Sequence, residues 1–235
     1  VALEKKRCVD KEEDARRDIY TAPRWKYYLC SLCQGITLIF LIFLFGLEWM
    51  GPFFVYSYYY QIDGNVLYST LMSFGAYFCI LPILSFLAIG FKWVVLGRIK
   101  PGKYHLWGSY YFRFWLVDKV ISICPVIYFT GTNLMNIFLR LMGAKVGRNT
   151  YINTSAINVF DSLAIGDDVS ICTDTHLRGY TIEDGYLKIG SIQLEDHAFV
   201  GTRCYLSPDS KMERNSYIED LTLLPSRCTI PSNEK

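Results

Sequence analysis

Apolar positions in the last third of the chain recur every six residues. Leu194, Val200, Leu206, Met212, Ile218, Leu224 and Ile230 keep one phase without a slip. Four places after each of the first six stands a small residue: Ala198, Cys204, Ser210, Ser216, Thr222 and Cys228. A period of six fits neither the 3.6-residue helix nor the two-residue strand alternation. It fits a β solenoid in which each hexad supplies one short strand and a corner. The large residue fills the coil, and the small one lets the chain turn tightly over it. Upstream, Val159, Ile165, Ile171 and Leu177 keep the period, with Leu163, Val169 and Thr175 at the fifth places. Val146 and Ile152 form a shorter block, offset by one residue. The period breaks across RGYTIEDGYLKIGSIQ, so residues 178–193 are expected to loop out as an arm on one face, where binding is common. The predicted fold is α + β: helices to about residue 141, then a left-handed parallel β-helix of hexapeptide repeats over residues 142–235.

Before residue 142 the pattern is different. Tyr27–Trp49 is a run of twenty-three residues with Gln34 and Glu48 as its clearly polar members. At about 1.5 Å per residue it matches a hydrocarbon core of roughly 30 Å, with Tyr27, Tyr28 and Trp49 where aromatic belts belong. A second run, Val66–Leu96, is interrupted only by Pro82 and small residues before Lys92. Buried core helices of a soluble protein fit two such neighbouring runs less well. Residues 27–141 are therefore read as a membrane region with two transmembrane helices and further interfacial helices. The aromatic segment Trp107–Trp115, followed by Asp118 and Lys119, suits a helix lying in the interface or beneath the solenoid. Val126–Leu141 reads as a membrane-associated helix. The stretch GPFFVYSYYYQIDGN between the runs reads as a connecting loop without Lys or Arg. Arg16, Arg17, Arg24 and Lys26 precede the first run, and Lys92, Arg98, Lys100 and Lys103 close the second. The positive-inside rule then gives an integral membrane protein with both flanks, and the β-helix, on the cytoplasmic side.

Charge and cysteine usage narrow the chemistry. Residues 1–26 hold fourteen charges of mixed sign, a solvated linker without the apolar core of a signal peptide. A net charge of +2 and the flanking apolar runs argue against a nucleic-acid partner. Cys30 and Cys33 have C-x-x-C spacing but no second ligand pair, and Cys204 and Cys228 occupy small interior places, so packing roles are expected for all four. No phosphate loop, dinucleotide fingerprint, triad motif or metal-ligand spacing is present in the sequence. The chain lacks an initiator Met, and its hexads run to Ile230 without a polar cap, so a longer parent chain is expected.

LGRIKPGKYHLWGSYYFRFWLVDKV, then FLRLMGAKVG, then hexads carrying an EDG-containing arm resemble the carboxy-terminal membrane region of Pls/PosA-type nonribosomal peptide synthetases, such as the poly-lysine synthetases. The resemblance covers roughly residues 96–231 and, more loosely, the two runs before them. It implies partners in the same chain: an adenylation domain that activates an amino acid and a carrier domain that holds it as a phosphopantetheine thioester. It also implies a hexapeptide-repeat unit that joins the monomers, with the lipid bilayer as a further partner and self-association left open. No cofactor bound directly is expected; the donor would be a carrier-bound or coenzyme A thioester.

Attack of an amine on a thioester needs a base, an oxyanion donor and a groove for the pantetheine arm. His176, in DTHLRG, stands just before the arm with Asp174 two residues away to orient it, and is the first candidate base. Its plainer role is a corner histidine bonded to the turn. His197, in EDHAFVG on a regular hexad, is the second candidate, while His105 follows KPGKY and is expected to meet headgroups. Glu183 and Asp184 are candidates for binding the acceptor's amino group, although EDG is more often simply a turn. The other reading is a non-catalytic solenoid that docks a carrier domain or supports product export. The hexad phase itself makes a prediction. Leu206→Asp places an unpaired carboxylate inside the coil at a cost of several kcal/mol, on the order of a domain's whole stability. Loss of cooperative melting is expected, and a variant that melts like the parent would sink the solenoid reading.

Overall fold

The computed structural model describes residues 19–234; the first eighteen residues of the charged segment 1–26 lie outside them. Two long helices come first, α1 (Arg24–Asp63) and α2 (Val66–Val95). They form a hairpin that turns on Gly64, at φ 62°, and on Asn65, whose side chain accepts from the Leu67 and Tyr68 amides at 3.1 and 3.4 Å. A left-handed residue ends one helix and a capping oxygen starts the next. Most of the expected loop 51–65 is therefore helix, as far as Asp63. Tertiary contacts override the Gly-Pro break. Gly51 leaves room for Ile80 of α2, and Ser73 Oγ donates to the Pro52 carbonyl at 2.7 Å. Beyond it Tyr56 stacks on Tyr60 at 5.8 Å, and Tyr59 meets Tyr68 across the turn at 5.5 Å. Only 11% of the apolar window of α1 and 18% of that of α2 is buried, whereas core helices of a soluble protein would be mostly covered. Both helices are long and apolar enough to cross a membrane.

A short strand, β1 (Gly102–His105), then α3 (Ser109–Ile123), a 3-10 turn (Val126–Phe129) and α4 (Asn133–Leu141) lead into the solenoid. Its strands fall on three parallel faces. The first face holds β2 (Lys145–Val146), β4 (Leu163–Ile165), β9 (Ile192–Leu194), β12 (Ser210–Met212) and β15 (Thr229–Ile230). The second holds β3 (Tyr151–Ile152), β5 (Ser170–Ile171), β10 (Phe199–Val200) and β13 (Tyr217–Ile218). The third holds β6 (His176–Leu177), β11 (Tyr205–Leu206) and β14 (Leu223–Leu224). Three hexads close one coil, so Leu194, Met212 and Ile230 lie in register on one face. Val200, Leu206 and Met212 are fully buried, as the hexad phase requires, and Ala198, Cys204, Ser210 and Ser216 fill the fifth places beside them. Corners turn through left-handed residues such as Asp168, Asp174, His197 and Arg203.

The first coil departs from the hexad, and that departure attaches the helices. Ile157, bridged to Leu177, takes the interior place on the third face, and Ile165 follows it only after a bulge at 158–162. Val159, expected inside, is carried over the rim into a second cluster with Ile99, Phe114, Leu187 and Ile189. The bulge grips three neighbours. Asn158 Nδ2 donates to Asp118 Oδ1 of α3 at 2.6 Å, and Asp161 Oδ2 accepts from the Ile99 amide at 3.0 Å. The same Oδ2 lies 2.7 Å from Lys92 Nζ in the last turn of α2, with the Lys92 side chain fully buried. Trp93 lies under that ammonium at 3.8 Å and donates from Nε1 to the Leu141 carbonyl at 2.9 Å. Helix α4 closes the end of the coil. Met135, Phe138, Leu139 and Met142, spaced i, i+3, i+4, i+7, are at most 4% exposed and belong to the solenoid core. The segment expected to be membrane-associated thus gives its apolar stripe to the coil and leaves Leu134, Ile137 and Leu141 outside.

Removing one partner of a buried pair leaves an uncompensated charge, a loss of about 3–5 kcal/mol. Asp161→Ala is expected to lower the melting temperature of the detergent-solubilised full chain sharply. The double variant Lys92→Met/Asp161→Asn, which keeps an acceptor for the Ile99 amide, is expected to lose much less. Equal losses in the two would show that this pair does not join helix to coil.

Candidate functional site at the root of the arm

The interruption of the hexads is a β-hairpin. Strands β7 (Tyr180–Glu183) and β8 (Tyr186–Ile189) pair antiparallel across Asp184 and Gly185, both left-handed at φ 54° and 79°. Two such residues are what a tight two-residue hairpin turn requires. EDG therefore makes the turn, and both acids hold Lys188, with Nζ 3.1 Å from Glu183 Oε2 and 3.1 Å from Asp184 Oδ2. Burial works to lower the Lys188 pKa, but the two carboxylates outweigh it and raise the value. Strand β8 also pairs with β1, so the arm and the segment after α2 form one three-stranded sheet. Phe114 of α3 packs edge-on to Tyr180 at 5.1 Å beneath it. The tip is closed by Tyr20, whose amide donates to the Asp184 carbonyl at 2.9 Å. His105, expected at headgroups, instead forms a three-ring cluster with Tyr20 at 4.3 Å and Tyr186 at 5.2 Å.

His176 stands on the outer side of β6 with Leu177 turned into the core. In the next coil its register partner is Tyr205, with the rings 6.1 Å apart. Arg178, two residues on, reaches Tyr205 Oη at 3.4 Å and Tyr180 Oη at 3.5 Å, and its guanidinium lies 5.2 Å from the Tyr180 ring centroid. The bond to Tyr205 raises the Arg178 pKa. An exposed imidazole, a guanidinium and two phenols thus meet where the arm leaves the coil. An imidazole can accept a proton, and a guanidinium and phenols can donate to developing negative charge.

The other sequence candidates lie elsewhere. Asp174 forms the corner before β6 at φ 56°, with Oδ2 3.8 Å from Arg203 Nε. His197 forms a corner of its own at φ 59°, with Nδ1 3.9 Å from Asp168 Oδ2. Glu183 and Asp184 sit at the hairpin tip on Lys188. Tyr205 and Arg178 were missed by sequence reasoning. His176 and Tyr205 are twenty-nine residues apart, one eighteen-residue coil plus eleven inserted residues, so their contact becomes legible only once the arm's insertion point is known. Among the described residues, no group of three His, Cys, Asp or Glu side chains is placed to hold a metal.

No family model matches the chain. Its sequence is 32% identical over 215 residues to delta-poly-L-ornithine synthetase of Acinetobacter baumannii (strain AB307-0294), covering 90% of this chain and 16% of the synthetase. The chain is a Pls-like hexapeptide-repeat region. A match of that extent takes in most of the helical hairpin as well as the solenoid, more than the GRIKPGKYHLWGSYY segment and the hexads alone. The Pls-like region nonetheless corresponds to a small part of the synthetase. Among solved structures, the chain is similar to a hexapeptide-repeat acetyltransferase of Vibrio cholerae, at 9% identity and a TM-score of 0.37 over 65% of this chain and 84% of that one. It is also similar to the serine acetyltransferase of Neisseria gonorrhoeae, at 11% identity and a TM-score of 0.31 over 66% of this chain and 65% of that one. Likenesses that loose say nothing about the site.

Proposed function

We propose that this chain is a membrane-anchored acyl or aminoacyl transferase unit of a larger synthetase, condensing an amine with a phosphopantetheine-bound thioester. The observation that carries the reading is the relationship to the poly-ornithine synthetase, which runs through helices and solenoid alike. The cluster at the root of the arm supplies chemistry suited to it. The acceptor amine attacks the thioester carbonyl carbon, forming the C–N bond. The neutral His176 imidazole takes the proton that the nitrogen sheds. Arg178 and Tyr205 face the oxygen that becomes negative. As the C–S bond breaks, the imidazolium returns its proton to the departing thiolate, so protons and charge balance. A carrier-bound or coenzyme A thioester serves as donor, and the carrier and adenylation domains of the parent chain load it. The scaffold reading has one observation in its favour: Asp174 is engaged with Arg203 rather than with the His176 ring.

Loss of a general base typically slows a reaction by about 10²–10⁴. In the full-length protein, His176→Ala is expected to reduce amide formation by that factor while amino-acid activation and carrier loading continue. Product formation at the parent rate would remove His176 from the mechanism and leave the scaffold reading.

The two helices are proposed to cross the bilayer with the solenoid on the cytoplasmic side. The Gly64–Asn65 turn carries no basic residue, while Arg24, Lys26, Arg98, Lys100 and Lys103 gather at the opposite end with the solenoid. In intact cells, an impermeant thiol reagent should label Cys introduced at Asn65 and spare Cys introduced at Asn215. The reverse pattern would overturn the orientation.

A further inference from the structure

A cavity of about 560 Å³ opens between the end of α2 and the first face of the solenoid, within the size range of small-molecule sites. It is walled by Trp93 and the connecting segment 98–101 on one side and by β2, β4 and the start of β9 on the other. Three cations line it: Arg98, Lys100 and Lys145. None of the three is in a salt bridge with another described residue. Asp161, the single acid in the wall, is already neutralised by Lys92 at 2.7 Å and bonded to the Ile99 amide, so the lining keeps its three positive charges. Neutral donors complete it. Ser162 and Ser191 stand beside Gln193, and the Ser162 hydroxyl is buried without a hydrogen-bond partner.

Three cations on the lining without acidic partners favour an anion in the space between them. Two lysines, a guanidinium and hydroxyl donors around one space are the donor set for phosphate oxygens, which accept several charge-assisted bonds at once. The volume leaves room for more than the phosphate itself. Trp93, in the last turn of an apolar helix, puts the mouth beside the level where such a helix would leave a bilayer. We propose that this cavity is a binding site for a phosphate ester, held by Arg98, Lys100 and Lys145. Two sources offer that chemistry: the headgroup of an anionic phospholipid and a soluble phosphate ester such as coenzyme A. The site does not rest on the transferase reading, because none of its residues belongs to the His176 cluster.

The test uses the full-length protein in a neutral detergent, with dipalmitoyl phosphatidylglycerol, dipalmitoyl phosphatidylcholine and coenzyme A added separately while thermal melting is followed. A saturable rise in melting temperature with phosphatidylglycerol or coenzyme A, and not with phosphatidylcholine, is expected, and the probe that acts names the source. Arg98→Gln/Lys145→Gln, both exposed positions, should melt like the parent without ligand and bind the active probe at least about tenfold more weakly, as loss of charge-assisted bonds implies. Equal response to the phosphatidylcholine, no response to either anion, or undiminished binding by the double variant would each overturn the proposal.

Discussion

A lysine at the end of an apolar helix cannot be left dry and unpaired, and the joint between the two halves of this protein follows from that constraint. Lys92 is fully buried, so its ammonium must have a carboxylate within contact distance. Asp161 provides it at 2.7 Å, and Asp161 exists at that position because the first coil is not a regular hexad coil. The surplus residues at 158–162 reach out of the solenoid and bond α2, the segment after it and α3 through Asp161 and Asn158. Regular coils do not set aside surplus residues with which to hold a foreign helix. The irregular one does, and the helical half is attached there.

The same contrast explains what was legible in the sequence. Where one rule governs every residue, as from Leu194 to Ile230, six-residue spacing placed each interior side chain correctly, because coil geometry leaves no alternative phase. Where the chain serves two masters, the spacing misled. Val159 keeps the hexad phase on paper, yet Ile157 takes the interior place, since the bulge must also reach the helices. The stretch 51–65 reads as a loop because it connects the two apolar runs, but a packed neighbour steadies the helix through Pro52. The helical segment 126–141 was seen as apolar; that its Met135–Met142 stripe closes a coil is knowledge carried by the coil, not by the helix.

The site was legible only in part, for a related reason. His176 was singled out because it precedes a break in the period, and the break does mark where the arm leaves. Its partners come from the coil above and the arm beside it, so they lie at distances along the chain that no local motif records. Nearness in sequence pointed to Asp174, which forms a corner at positive φ with its carboxylate 3.8 Å from Arg203 Nε. In a solenoid, the side chains that meet are those one coil apart, and neighbours along the chain face different sides.

The arm also separates two kinds of surface. It departs from the third face just after His176 and returns to the first face at Ser191 and Gln193, which line the cationic cavity. Its hairpin is clamped by β1 along one edge and by Tyr20 at the tip, both outside the solenoid. The root of the arm is therefore positioned by the helical half as much as by the coil. A shift of α2 against the solenoid would pull on Asp161 and on the segment 98–105, and through β1 on the hairpin between His176 and the cavity. The helical hairpin and the geometry of the arm's root are in this way one mechanical unit, joined through Asp161 of the irregular first coil on one side and through β1 on the other.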